Sequence, residues 1–266
     1  MSKKLSILNF LSVILVIAIN YLAQVGRFNN NTIASLSTEY DNLFTPAGYA
    51  FSIWGLIFIS MFFYTGFQLY TAFSSNSDSD NIIKTGYWFV IANLANATWV
   101  VVWLYEYTFL SVIVMFVILG SLLKIVLNTN MERWDAPLKI IAFTWWPICL
   151  YAGWISVASI ANLAAYLSKI GWDGWIFSEI QWAVIMIFIA VIINSLMIYR
   201  RNMREFALVG VWALIAIYVR QEGTHQFIAF TAIVGAILLL GYISYHGYVN
   251  RKTNPFNQLL HSKANI

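Results

Sequence analysis

The chain has few charged residues, a single cysteine and only four prolines. Charged residues make up 10% of its 266 positions and hydrophobic residues 61%, a balance that excludes a typical soluble domain. The one cysteine, Cys149, excludes an internal disulfide and a thiolate cluster, and its apolar surroundings predict a buried, inert thiol. There is no P-loop, nucleophile elbow or HExxH motif, and His225 and His246 lack partners at metal-ligand spacing. We therefore expect no metal site and no catalytic residues.

Long apolar runs make up most of the sequence. Runs of roughly 17–25 residues recur, each able to cross a bilayer core of ~30 Å, and no segment alternates every second residue as a barrel strand would. The predicted fold class is all-α, a polytopic membrane bundle of about eight transmembrane helices. The predicted helices span about 5–23, 47–73, 82–105, 109–127, 136–167, 178–199, 205–220 and 226–248. The first is interpreted as an uncleaved span, and the polar stretches 27–42 and 74–80 as an exposed loop and a linker.

The distribution of Lys and Arg predicts the orientation of the bundle. With eight spans, twelve of the fifteen basic residues fall on the side that holds both termini, and only Arg27, Lys169 and Arg220 fall on the other. Since basic loops stay in the cytoplasm, both termini should be cytoplasmic. We expect an integral membrane protein of the bacterial inner (plasma) membrane. Its basic residues lie in loops and form no patch, so membrane lipid is an expected partner and nucleic acid is not.

The predicted fifth helix carries the clearest pattern. Within residues 145–167, Pro147, Tyr151, Trp154, Ala158 and Asn162 follow one another at steps of four, three, four and four. On an α-helix these steps place all five on one face. An aromatic, small and amide face inside an apolar helix is expected to look toward a partner helix or a ligand.

Two further stretches have the same character. Phe51, Trp54 and Phe58 follow at helical spacing in the second predicted helix, and Asn96, Trp99 and Trp103 share a face of the third. Taken singly, each stripe is explained by helix packing or by interfacial Trp anchoring. Taken together they favour a cavity, because three of the tryptophans are predicted well inside their helices.

These residues resemble a known family. The pattern Pro46-x-Gly48-x-x-Phe51-x-x-Trp54 resembles the second-helix signature of the translocator proteins, also called tryptophan-rich sensory proteins. Asn96-x-x-Trp99 is similar to the family's third-helix motif, and residues 154–164 to its fifth-helix motif. The resemblance implies a five-helix core over residues 1–168. Residues 169–266 would then add C-terminal transmembrane helices and a short cytoplasmic tail.

The resemblance implies a membrane binding protein, carrier or sensor for a hydrophobic planar ligand such as a porphyrin. Members are often homodimeric, so a homodimer is an expected assembly. No cofactor is required, although a tetrapyrrole or a lipid could be bound. The expected ligand-binding residues, from the matched motifs and the stripes, are Phe51, Trp54, Phe58, Asn96, Trp99, Tyr151, Trp154, Ala158 and Asn162. Three alternatives stay open: a secondary transporter of a small solute, a light-dependent porphyrin-modifying enzyme, and a structural or sensory subunit without a ligand.

Overall fold

The computed structural model describes residues 1–26, 28–74 and 79–251, so Arg27, most of the predicted 74–80 linker and the C-terminal tail lie outside the described residues. Eight long helices account for most of the described chain, which contains no strand. They are α1 (Ser2–Gln24), α2 (Ile53–Phe73), α3 (Trp88–Leu104), α4 (Thr108–Asn128), α5 (Trp146–Lys169), α6 (Glu179–Arg201), α7 (Arg204–Gln221) and α8 (Gln226–Val249). The all-α prediction is confirmed.

Six of these helices are long and apolar enough to cross a membrane. They are α1, α4, α6, α8 and the longer helical stretches that contain α2 and α5. Helix α3 is apolar but has only 17 residues. Helix α7 has 18 residues and carries Arg204, Glu205 and Arg220 near its ends. The chain is therefore an integral membrane protein built as a helical bundle.

The first five long helices close into a ring. Helix α1 packs against α2 and α3, α3 against α4, α4 against α5, and α5 against α2. Helix α5 is the most enclosed: 72% of its most apolar window is buried, compared with 28–44% for the other five spans. Its predicted inward face is buried at Pro147, Tyr151, Trp154 and Asn162, and Cys149 is fully buried as expected.

The three C-terminal helices pack onto this ring through α7. A Cβ atom added to Gly153 of α5 would lie 2.8 Å from the carbonyl oxygen of Phe206, so the α5 and α7 backbones approach closely there. The Trp212 indole donates a 3.1 Å hydrogen bond to the Ala50 carbonyl. Helices α6 and α8 pack against α7 and against each other. The boundary at residue 168 remains a prediction from sequence.

Three predicted helices are not continuous α-helices. The predicted helix 82–105 is wrong as a single element, because Gly86 adopts a φ of 57° that ends the short helix Asp80–Thr85 before α3 begins. The predicted 47–73 helix starts as a 3₁₀ turn, Gly48–Ser52, before α2. Before α5, residues Ile141–Trp145 form a π turn directly ahead of Pro147, which has no N–H to donate to the preceding turn.

The prediction for residues 27–42 differs most from the structure, because this predicted loop contains a helix. The helix Ile33–Glu39 lies within it, opened by a capping box in which Thr32 and Ser35 each accept from the other's backbone N–H. Leu36 on this helix is fully buried. The other described residues of the segment are exposed or half-buried, as its polar composition predicted, and Leu36 packs the short helix onto the bundle.

Candidate functional site

The bundle has two ends, each formed by a different set of loops and chain segments. The distal end, defined by residues 28–47, 105–107, 170–178 and 222–225, is opposite the N-terminus. The proximal end is defined by Met1 and residues 129–137 and 202–203. Hydrogen bonds join the segments of each end: Lys169 Nζ donates to the Glu106 carbonyl at the distal end, and Asn202 Nδ2 to the Glu132 carbonyl at the proximal end.

A cavity of about 60 Å³ lies near the distal end, between α2, α3, α4 and α5 and beneath residues 33–46. Its lining is aromatic and aliphatic, with few polar groups. The lining residues are Ile33, Ser37, Thr45, Pro46, Phe51, Trp54, Trp99, Trp103, Met115, Trp154, Val157, Ala158, Ala161, Asn162 and Ala165.

Six of the nine predicted ligand-binding residues line this cavity: Phe51, Trp54, Trp99, Trp154, Ala158 and Asn162. The other three, Phe58, Asn96 and Tyr151, do not line it. They belong to the layer directly beneath, since the Trp54 ring stacks on Phe58 at 5.1 Å and meets the Tyr151 ring edge-on at 6.0 Å. The sequence thus grouped the right helix faces but not the depth of each side chain.

Aromatic rings form one wall of the cavity. The Trp54 and Trp154 rings meet edge-on, with centroids 6.5 Å apart and planes at 83°. Phe51 meets Trp154 in the same way at 6.0 Å. Such T-shaped pairs add stability beyond their buried area, by about 0.5–1.5 kcal/mol each. The rings are thereby held in fixed orientations.

Asn162 fixes the part of the wall that borders α3 and α4. Trp99 Nε1 donates a 2.6 Å hydrogen bond to Asn162 Oδ1, and Asn162 Nδ2 donates to Ser111 Oγ at 2.8 Å. Trp99 also stacks on Trp103 at 5.9 Å with an interplanar angle of 14°. One amide therefore ties α5 to both α3 and α4, and its buried polar atoms are satisfied.

A second amide closes the layer below. Asn96 Nδ2 donates to the Tyr151 hydroxyl at 3.0 Å, and Asn96 Oδ1 accepts from Asn20 Nδ2 at 3.3 Å. Asn96 and Tyr151 are essentially inaccessible to solvent. These bonds join α1, α3 and α5, so this layer is a structural floor.

The segment above the cavity is tied down on the α3–α4 side. The Tyr40 hydroxyl donates a 2.5 Å hydrogen bond to Glu106, and the Lys169 ammonium lies 4.9 Å from the Tyr40 ring centre and 3.8 Å from the same carboxylate. Burial, together with the hydrogen bond to Glu106, raises the pKa of the Tyr40 phenol. Tyr40 therefore stays neutral and able to donate.

The other side of the same segment is tied to α7. Arg220 and Asp41 form a 2.8 Å ion pair, and Gln221 Nε2 donates to the Leu43 carbonyl at 3.0 Å. Two of the three basic residues predicted for this side of the membrane, Lys169 and Arg220, thus contact residues 33–46, which we call the cover segment. The third, Arg27, lies outside the described residues.

Several lining residues were not predicted. Periodicity had placed Trp103 on the face of Trp99, although it was not among the expected ligand-binding residues. Ala161 and Ala165 continue the small-residue spacing of Ala158, so the same periodicity could have indicated both. Ile33 on the cover segment has no such signal, because it meets the cavity only through tertiary packing. The described residues also form a cavity of about 110 Å³ beside Trp182 and a groove of about 410 Å³ at the proximal end.

The sequence matches the family described as TSPO-like protein over residues 6–245. The matched range contains all of α2 to α7 and most of α1 and α8, and therefore reaches well beyond the five-helix ring. The predicted resemblance to the translocator proteins is confirmed at the level of the family. No curated protein matches the chain, and no solved structure does.

Proposed function

This chain belongs to the TSPO-like protein family, and we propose that it binds a planar, hydrophobic ligand such as a porphyrin in the distal cavity. The observation that carries the proposal is the convergence of Phe51, Trp54, Trp99, Trp103 and Trp154 on one cavity. Indole and phenyl faces are suited to stacking on a flat conjugated ring. Aliphatic residues around them would exclude water from that contact.

The cavity must enlarge to admit such a ligand. Its volume is about 60 Å³, whereas pockets for drug-sized ligands hold roughly 300–1,000 Å³. The cover segment is the part best suited to move, since exposed or half-buried pairs such as Asp41 with Arg220 contribute little stability. The floor of Asn96 and Tyr151 is fully buried and should stay fixed. Binding would therefore proceed by displacement of residues 33–46.

Protoporphyrin titration followed by Trp fluorescence tests the proposal. Trp154→Ala and Trp54→Ala should each weaken binding by roughly five- to 150-fold, since stacking on one aromatic ring contributes roughly 1–3 kcal/mol. The control is Trp175→Ala, which removes a tryptophan that is 84% exposed at the distal end. Equal affinity in the wild type and both pocket variants would refute the assignment.

The larger proximal groove offers a rival location for the same ligand. It is lined by Trp134, Gln68 and Lys139, among others, so a porphyrin seated there would respond to Trp134→Ala. If Trp134→Ala weakens binding while Trp154→Ala does not, the ligand occupies the groove and the distal cavity is not the site.

Different measurements distinguish ligand binding from two other candidate activities, light-dependent porphyrin modification and solute transport. A light-dependent enzyme would lower porphyrin absorbance on illumination, at a rate that depends on Trp54 and Trp154. A transporter would accumulate solute in proteoliposomes in response to an ion gradient. The buried floor beneath the cavity favours binding over passage, because Asn96 and Tyr151 would have to separate for a solute to pass.

A further inference from the structure

A second group of chemically active side chains lies at the proximal end. Glu132 follows α4, Cys149 lies in the first turns of α5, and Glu205 lies in the first turn of α7. One carboxylate oxygen from each glutamate and the Cys149 sulfur all lie within 4.8 Å of one another. Three elements that are distant in sequence thus bring three metal-ligand side chains to one point.

Two carboxylate oxygens in this group lack partners. Glu132 Oε1 and Glu205 Oε2 are shielded from solvent and have no hydrogen-bond donor. Desolvating a carboxylate oxygen without a partner costs several kcal/mol. None of the ion pairs among the described residues involves either glutamate. The orphaned oxygens therefore require a positively charged or proton-bearing partner.

The position of Glu132 is fixed by its backbone. Asn202 Nδ2 donates a 2.7 Å hydrogen bond to the Glu132 carbonyl, and Asn202 Oδ1 lies 3.1 Å from His246 Nε2. The neighbouring Arg133 side chain donates to the Arg200 carbonyl on α6. These bonds join the α4–α5 loop to α6 and α8, so Glu132 is held beside α5 and α7 rather than in water.

We propose that Glu132, Cys149 and Glu205 bind a divalent transition-metal ion of the zinc class. Zinc bonds of about 2.0–2.3 Å place ligand atoms roughly 3–4 Å apart, so the observed spacing requires only small side-chain rotations. One thiolate favours zinc-class ions over Mg²⁺ or Ca²⁺, which prefer oxygen alone. On binding, the thiol releases its proton to solvent and the sulfur forms the metal bond.

The charge of the surroundings suits such an ion. Two carboxylates and a thiolate carry three negative charges, of which a divalent ion neutralises two. Arg204 adjoins Glu205 and its Nε is buried without a partner, so its guanidinium can offset the third. Trp146 also hydrogen-bonds to Glu205 and orients that carboxylate. Outer contacts of this kind hold ligands in place in metal sites.

Metal titration of the chelator-treated full chain tests the site. Zn²⁺ should bind at one ion per chain, and Co²⁺ should produce a thiolate charge-transfer band in the near ultraviolet. Cys149→Ser should abolish the band, and Glu132→Gln or Glu205→Gln should weaken Zn²⁺ binding by roughly tenfold or more, the loss that even an outer-shell change can cause. Glu179→Gln is the matched control, since Glu179 opens α6 and is exposed.

Folding is monitored separately for every variant by gel filtration and thermal unfolding without metal. A folded Cys149→Ser protein that retains the band and wild-type Zn²⁺ affinity would overturn the proposal. Failure of the folded wild type to bind zinc stoichiometrically would do so as well. In that case the two carboxyl groups share a proton instead, and Glu132→Gln should raise the metal-free melting temperature.

Discussion

The Trp99 indole and the Asn162 amide are joined by a 2.6 Å hydrogen bond that links α3 to α5 beside the distal cavity. Asn162 Nδ2 also donates a hydrogen bond to Ser111 Oγ on α4. The oxygen and the nitrogen of the Asn162 amide are therefore both used within the bundle. Its first role is to hold the wall of the cavity, and contact with a ligand through this amide would compete with these bonds.

Asn162→Ala should destabilise the protein by about 1–3 kcal/mol, because it leaves the buried Trp99 N–H without an acceptor. The measurement is thermal or denaturant unfolding in detergent. Thr98→Ala is the control on α3, since the exposed Thr98 hydroxyl bonds only to the Leu94 carbonyl of its own helix. It should change stability by less than about 0.5 kcal/mol. Equal effects of the two substitutions would contradict the bridging role.

Ala158→Leu should fill the distal cavity and weaken protoporphyrin binding by at least about tenfold. Because space is present beside Ala158, the free energy of unfolding should fall by no more than about 1–3 kcal/mol, the usual cost of adding methylenes to a packed interior. Ala18→Leu, on the exposed surface of α1, controls for the added side chain. Unchanged affinity in a stable Ala158→Leu protein would exclude this cavity as the binding site.

Gly153→Ala should separate α5 from α7, since the new Cβ would lie 2.8 Å from the Phe206 carbonyl oxygen. We expect a loss of about 1–3 kcal/mol of stability, measured by thermal unfolding. Gly120→Ala on α4 meets no atom within 4 Å. It should leave stability unchanged or raise it by up to about 1 kcal/mol. A stable Gly153→Ala protein would show that α7 is not packed closely on α5.

Tyr40→Phe should speed protoporphyrin association by releasing the cover segment from Glu106. One hydrogen bond contributes about 0.5–1.5 kcal/mol, which corresponds to a rate increase of roughly two- to tenfold. Stopped-flow fluorescence measures the rate. The control is Tyr107→Phe, because Tyr107 follows Glu106 in the chain and is 65% exposed. An association rate unaffected by Tyr40→Phe would mean that this tie does not limit ligand entry.

Helical periodicity predicted the parts of the site that lie along single helices. Trp154, Ala158 and Asn162 repeat at helical spacing on α5, and Trp99 falls on the inward face of α3, so their shared environment follows from local geometry. Asn96 and Tyr151 also lie on inward faces. They do not line the cavity, because depth along the bundle depends on how neighbouring helices are offset, and no pattern within one helix contains that offset.

Apolar composition and run length determined that the chain is an all-helical membrane protein. Runs long enough to cross a bilayer core meet no water there, so their backbone N–H and C=O groups must bond within the helix. Only tertiary structure decided that Ile33 and Ser37 cover the cavity, and that Glu132, Cys149 and Glu205 meet at the proximal end. Periodicity reports neighbours three or four residues apart on one helix. Ile33 of the cover lies 132 residues from Ala165 in the same cavity, and Glu132 lies 73 residues from Glu205, so only packing brings them together.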